Sequence, residues 1–227
     1  MWSFPERGKW ATHSGSYRGN WSPYVPRNLI LRYSKTGDMV LDQFAGSGTT
    51  LIEAKLLNRN AIGVDINPLA VEFSKANLSF QAGNNANIAV KVGNARDLCF
   101  IESNSIDLVC THPPYSNIIR YSPGIADDLS RLSYDAFIVA MHDVASEAYR
   151  VLKSGGVCAF MIGDIRRKGF VKPLGMDTVQ VFIQRGLTLR EIIIKEQHNC
   201  KSTRIWASKD ISFLLLSHEY IFVLEKP

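Results

Sequence analysis

Val40-Leu41-Asp42-Gln43-Phe44-Ala45-Gly46-Ser47-Gly48-Thr49-Thr50 is an apolar run that breaks into a Gly-Ser-Gly turn and resumes with a helical pattern. A strand feeding a glycine-rich turn and then a helix builds a nucleotide-type pocket at the carboxyl end of an α/β sheet strand, because glycine lets backbone approach a ligand closely. A second apolar run over 106–111 ends in His112-Pro113-Pro114-Tyr115, a turn stiffened by two prolines. These two stretches divide the work of the chain between a cofactor half and a target half.

Outward from them, strands and helices alternate. Strands are expected over 39–44, 61–65, 88–92, 106–111 and 157–162, and helices over 27–34, 49–57, 69–78, 134–152 and 177–185. The 134–152 helix has the clearest 3.6-residue period, with apolar side chains at 134, 137, 138, 141, 144, 145, 148 and 152. Two successive strands, 187–195 and 213–224, close the pattern. The expected fold class is α/β: a doubly wound, mostly parallel seven-stranded sheet with an antiparallel strand near one edge. Residues 1–26, rich in Trp, Tyr, Ser, Gly and Pro, read as an irregular arm packed on a single domain spanning 1–227. Segments 116–131, 164–175 and 197–212 read as loops.

With 46% apolar residues in 227, the chain can bury a large core. It has no long apolar run of membrane-spanning type and no basic-then-apolar leader, so the expected location is cytoplasmic, without membrane contact. Cys99, Cys110, Cys158 and Cys200 are widely spaced, which suggests neither a metal site nor a disulfide framework. A formal charge of +5 permits a polyanionic partner without requiring one.

Three cofactor readings compete at the glycine turn. A triphosphate loop needs a lysine where Gly48 stands, and a nicotinamide dinucleotide site wants a third glycine where Leu51 stands. Asp65, at the end of the second strand, can accept from ribose hydroxyls of any adenosine cofactor and does not separate them. The combination with Thr111-His112-Pro113-Pro114-Tyr115 does. Asp-Gln-Phe-Ala-Gly-Ser-Gly-Thr-Thr resembles the S-adenosylmethionine motif of DNA amino-methyltransferases, usually Asp-Pro-Phe-x-Gly-x-Gly-Thr-Thr, with Gln43 in place of proline. Ala61 to Pro68 and Gly93 to Leu98 resemble the next two family motifs, and His218 to Val223 resembles the family's closing strand. The similarity spans roughly residues 21–225 and implies a Rossmann-like methyltransferase fold.

The resemblance assigns the cofactor to Asp42, Phe44, Ala45, Gly46, Ser47, Gly48, Thr49, Thr50 and Thr111, with Asp65 and Ile66 at the ribose. Asn94 and Ala95 fall at the adenine edge, where Asp97 either substitutes for the family's aspartate or braces the loop. Trp21 and Pro23, in Trp21-Ser22-Pro23-Tyr24-Val25-Pro26, occupy the place of the motif over the methionine end, or simply pack over the sheet edge.

In the target half the resemblance makes His112 and the Pro113 carbonyl acceptors for an exocyclic amine, Pro114 a rigid spacer, and Tyr115 the platform for a flipped base. Such an amine is a poor nucleophile because its lone pair is shared with the ring, so positioning and preorganised acceptors carry the catalysis. His112 departs from the usual Asp, Asn or Ser. A protonated imidazole has no acceptor, so turnover is expected to weaken on the acid side of neutrality. A neutral acceptor is closer to Ser than to a carboxylate, which leans toward cytosine N4 over adenine N6. Arg120, Tyr121, Arg166, Arg167, Lys168, Lys201 and Arg204 lie after strand ends and are expected to meet nucleic acid.

The implied function is methylation of cytosine N4 or adenine N6 in double-stranded DNA. A restriction endonuclease system and a homodimer are the protein partners considered. An RNA base amine or a protein glutamine as substrate, and a non-catalytic cofactor- and DNA-binding subunit, are the alternatives.

Overall fold

A computed structural model describes residues 1–122, 124–198 and 212–227. Its centre is a seven-stranded sheet built from β1 (Met39–Asp42), β2 (Asn60–Asp65), β3 (Ile88–Val92), β4 (Ile106–Thr111), β5 (Leu152–Ile162), β8 (Thr188–Glu196) and β9 (His218–Glu225), in the order β3-β2-β1-β4-β5-β9-β8. The first five run parallel, and β9 lies antiparallel between β5 and β8. The antiparallel strand is therefore next to the edge, as the two successive final strands implied. The order turns between β1 and β4, which opens a crevice at their carboxyl ends.

The central strands β1, β4, β5 and β9 are buried on both faces over most of their length, which explains their apolar runs, while the edge strands β3 and β8 stay half-buried or exposed. Leu41, Val109, Cys158, Phe160 and Phe222 point to α4 (Tyr134–Val151) and α5 (Leu174–Gln184), while Val40, Leu108, Cys110, Ala159 and Val223 point to α1 (Tyr24–Tyr33) and α2 (Thr49–Leu56). Phe160 packs its ring 4.5 Å from Phe182 and 5.5 Å from Phe222. A last helix, α3 (Pro68–Asn77), starts with Asn67 accepting from the Leu69 amide and Pro68 in its first turn.

Several boundaries differ from expectation, each for a local reason. β1 stops at Asp42 rather than 44 because the Asp42 carboxylate takes the Phe44 amide and turns the chain. β5 begins at Leu152 rather than 157, its Lys153 to Gly156 stretch staying in the strand through a register shift opposite β4. The last strand begins at His218, five residues later than expected. Within the expected loop 164–175 there is a hairpin, β6 (Ile165–Arg167) and β7 (Phe170–Lys172), and α5 starts three residues early at Leu174. The two central hairpin residues, Lys168 (φ 49°) and Gly169 (φ 85°), are both left-handed, as a tight hairpin turn requires; lysine there gives little sequence signal.

The N-terminal arm is tied down at both ends. Trp2 donates to the Ile194 carbonyl and accepts from Glu196 N, each at 2.8 Å, adding a short bridge to the outer side of edge strand β8. Further along, the fully buried Glu53 of α2 accepts from Trp10 Nε1 (2.7 Å) and Arg27 Nη1 (2.9 Å), and His13 Nε2 lies 2.6 Å away. Thr12 donates to the Asn77 carbonyl and Asn20 to Ser47 Oγ, which brings the arm over the glycine turn. Replacing Glu53 by alanine leaves the Trp10 indole without its acceptor and the cation of Arg27 without its counter-charge. Glu53→Ala is expected to lower the unfolding free energy in urea titration by about 3 kcal/mol and to expose residues 1–20 to limited proteolysis.

Candidate active site

The glycine turn is held by two carboxylates. Asp42, 2% exposed, accepts from the Phe44 amide (3.0 Å), the Thr50 hydroxyl and the Thr111 hydroxyl (2.7 Å). One side chain thus joins the end of β1, the start of α2 and the end of β4. Burial pushes its pKa up to about 6 against the pull of these three hydrogen bonds. Asp65 accepts from the Gly46 amide (2.8 Å) and the Asn67 amide (2.9 Å), clamping the turn to the end of β2; burial raises its pKa as well. Gly48 (φ 85°) caps α2 in a left-handed conformation, and a Cβ there would stand 2.4 Å from Ser74 Oγ, so the position requires glycine.

Above this turn lies a cavity of about 1370 Å³ that reaches from the glycine turn to the Pro-Pro-Tyr turn and on to the β6–β7 hairpin. Asp42, Phe44, Ala45, Gly46 and Thr49 line it on one side, joined by Asp65, Ile66, Asn94 and Ala95. Ser47, Gly48, Thr50 and Thr111 lie buried behind this wall and shape it rather than face it. Asp97 is exposed, off the cavity wall, and accepts from Cys99 N, so of its two expected roles the bracing one matches its position. Asn94, by contrast, is on the wall. Gln43, the residue in place of proline, sends its amide to the Ala95 and Val144 carbonyls (3.3 Å each), fastening the Asn94–Ala95 loop from below. Trp21 is on the wall, whereas Pro23 is buried off it as the residue capping α1.

The target half of the cavity is a linear array. Lys195 Nζ donates to Glu219 Oε2 (2.8 Å), Tyr115 Oη donates to Glu219 Oε1 (2.7 Å), and His112 Nε2 sits 3.0 Å from Tyr115 Oη. Trp21 stacks on the His112 ring, centroids 5.3 Å apart and planes within 15°. Pro113 and Pro114 line the same wall. Tyr115 is half-buried with its ring edge against Gly163, where an added Cβ would stand 3.2 Å from Cε2. Burial depresses the His112 pKa to about 4; Glu219 opposes this, Lys195 and Arg7 add to it. A pKa so far below neutrality runs against the expectation of weakening just below pH 7, since it leaves the imidazole neutral there. Burial alone would raise Glu219, but Lys195 and His112, with the hydrogen bonds from Lys195 and Tyr115, hold it below the usual carboxylate range.

The expected nucleic-acid residues divide. Tyr121, Arg166 and Lys168 line the cavity, Tyr121 stacked on Tyr17 at 6.5 Å and Arg166 lying over Phe213 at 4.2 Å while donating to the Gly169 and Leu214 carbonyls. Arg167 points instead to the Asn117 amide oxygen, and Arg120 is exposed off the wall. Lys201 and Arg204, together with Asn199, Cys200, Trp206 and Lys209, lie outside the described residues. Sequence reasoning missed Glu219, whose signal was an acid inside a strand otherwise apolar at its centre. It also missed Arg7 on the arm, which lines the cavity and carries two buried nitrogens, Nε and Nη2, with no hydrogen-bond partner among the described residues. Neither the cavity wall nor any other group of three or more His, Cys, Asp and Glu among the described residues is arranged to hold a metal ion.

Comparison with known proteins bears on this geometry. The family model for DNA methylases matches residues 1–76 and 106–227, most of the chain. A tRNA (guanine(10)-N2)-dimethyltransferase of Methanothermobacter thermautotrophicus is 34% identical over 132 residues, covering 58% of this chain and 37% of that protein. The Type II methyltransferase M.HpaI of Haemophilus parainfluenzae is 50% identical over 50 residues, 22% of this chain and 16% of its own length. The chain thus spans well under half the length of these curated relatives. Among solved structures, TrmN from Thermus thermophilus superposes with a TM-score of 0.65 at 20% identity, covering 92% of this chain and 50% of that one, which speaks for the fold. A methyltransferase of Methanosarcina mazei gives 0.61 at 14% identity, covering 87% and 96%. With its family match running through both the glycine turn and the Pro-Pro-Tyr turn, the chain belongs to the DNA amino-methyltransferases, Rossmann-like enzymes that use S-adenosylmethionine.

Proposed function

We propose that this chain transfers a methyl group to an exocyclic amine of a base flipped out of double-stranded DNA. The observation that carries the reading is the single cavity shared by the cofactor turn and the His112-Pro113-Pro114-Tyr115 turn.

The wall suits an adenosyl group. Asp65 has carboxylate lone pairs beyond those used by Gly46 and Asn67 to receive ribose hydroxyls; Phe44, Ile66 and Ala95 give apolar faces for a purine; Asn94 presents an amide to its edge. S-adenosylmethionine supplies an activated methyl on a sulfonium. The protein's part is to hold the amine in line and to favour the pyramidal nitrogen, with the His112 ring and the Pro113 carbonyl as acceptors. Tyr115 and Trp21 border the space for the flipped base. Tyr121, Arg166 and Lys168, which line the cavity, would meet the sugar-phosphate chain, with the domain's loops reading sequence. A neutral acceptor at position 112 favours cytosine N4.

The tRNA relative favours a second reading, an amine of an RNA base. Incubation with labelled S-adenosylmethionine and either DNA or RNA, followed by digestion to nucleosides, separates the two. N4-methylcytosine from DNA is expected; N6-methyladenine reassigns the base; label found in RNA alone sinks the DNA reading.

Two further outcomes follow from the wall itself. Asp65→Ala removes a charged acceptor and is expected to weaken cofactor binding about 10- to 100-fold by calorimetry. His112 faces Glu219, Tyr115, Lys195 and Arg7, and its depressed pKa of about 4 keeps the acceptor in place through the neutral range. The imidazole carbon protons should titrate by NMR with a midpoint near pH 4, and turnover should be independent of His112 ionisation between pH 6 and 8. A midpoint near the ordinary histidine value of about 6.5 contradicts this account.

A further inference from the structure

We propose that Glu219 is a positioning residue that, through Tyr115, fixes the tautomer of His112 and so decides which ring nitrogen is offered to the target amine. The inference rests on the functional reading above and adds to it the group that makes a histidine serviceable at this place.

Glu219 is 8% exposed, and its two oxygens face two donors, Lys195 Nζ on Oε2 and Tyr115 Oη on Oε1. Lys195 and Glu219 are directly opposed across β8 and β9, so the cation is delivered by strand register rather than by a free side chain. Beside that ammonium the carboxylate is ionised and can only accept. Tyr115 has one hydroxyl proton, and it goes to the carboxylate. Toward His112, 3.0 Å away, the phenol oxygen then has only lone pairs, so Nε2 must carry the hydrogen of that bond. A neutral imidazole has a single N–H, which leaves Nδ1 bare.

Trp21, stacked on the ring at 5.3 Å, opposes rotation of the imidazole out of this plane. Nδ1 makes no hydrogen bond among the described residues, and His112 lines the cavity. The relay therefore converts a residue that could present either a donor or an acceptor into an acceptor only. With the opposite tautomer, Nδ1–H would face the amine hydrogens and repel them. The usual family residues at this place need no such device when they carry a carboxylate; a histidine does.

The test reads the tautomer directly. In wild-type protein labelled with ¹⁵N-histidine, the Nδ1 resonance at pH 7 should be that of a fully unprotonated nitrogen. In Glu219→Gln the side-chain amide can donate to the phenol oxygen, which frees the tyrosine proton to turn toward Nε2. The Nδ1 signal should then move toward the protonated position, and kcat should fall at least about 10-fold with the cofactor dissociation constant unchanged. Tyr115→Phe, which leaves Glu219 and Lys195 paired, is the second variant. It should move the Nδ1 signal toward the mixture found for a free imidazole even where Glu219→Gln folds poorly. A protonated Nδ1 in wild type, or an Nδ1 signal unchanged in both variants, overturns the relay. Because the NMR signal needs no nucleic acid, a tautomer that shifts as described in a protein that methylates no DNA counts against the functional reading and not against the relay.

Discussion

One buried carboxylate holds the two halves of this structure together. Asp42 receives hydrogen bonds from the turn that follows its own strand, from the first turn of α2 and from the last residue of β4. The strand order reverses between the paired strands β1 and β4, and at their carboxyl ends the short Asp42 side chain, with several acceptor sites, ties both strands to the start of α2. The glycine turn, the Pro-Pro-Tyr turn and the cavity between them all depend on that bridge. Its burial is tolerated because hydrogen bonds replace the water that the carboxylate gives up.

The architecture was legible where burial dictates composition. Strands covered on both faces must be apolar at nearly every position, and the α4 face that packs on them repeats at the helical period, so these segments could be read from residue type alone. What could not be read was set by bonds between side chains and backbone. The end of β1 depends on Asp42 capturing an amide, and the β6–β7 hairpin depends on Lys168 adopting a left-handed conformation that lysine does not advertise. Periodicity carries no information about either.

The candidate site shows the same division. His112, Asp65 and Asn94 stand in contiguous motifs and were legible as a set. Glu219 meets Tyr115 across 104 residues of sequence, and Lys195 reaches Glu219 only because β8 and β9 pair in one register. Arg7 enters the cavity from an arm without periodic pattern. The resemblance located His112 but not Glu219 or Lys195 beside it, since those arrive through sheet assembly rather than through the motif.

The arm has a kinetic meaning beyond its contacts. The bond between Trp2 and Ile194 closes a loop of nearly the whole chain, onto a strand that itself pairs only with β9 within the sheet. Contacts of such long sequence separation slow folding, since the entropy of closing the loop is lost before the contact repays it. Trp21, by contrast, sits in the core cluster with Val25, Leu29 and Ile30, so the ring stacked on His112 is anchored beside α1 rather than by the Trp2 end. The sheet and its glycine turn need no contact with the Trp2 end of the arm, whereas that end needs β8 as its template.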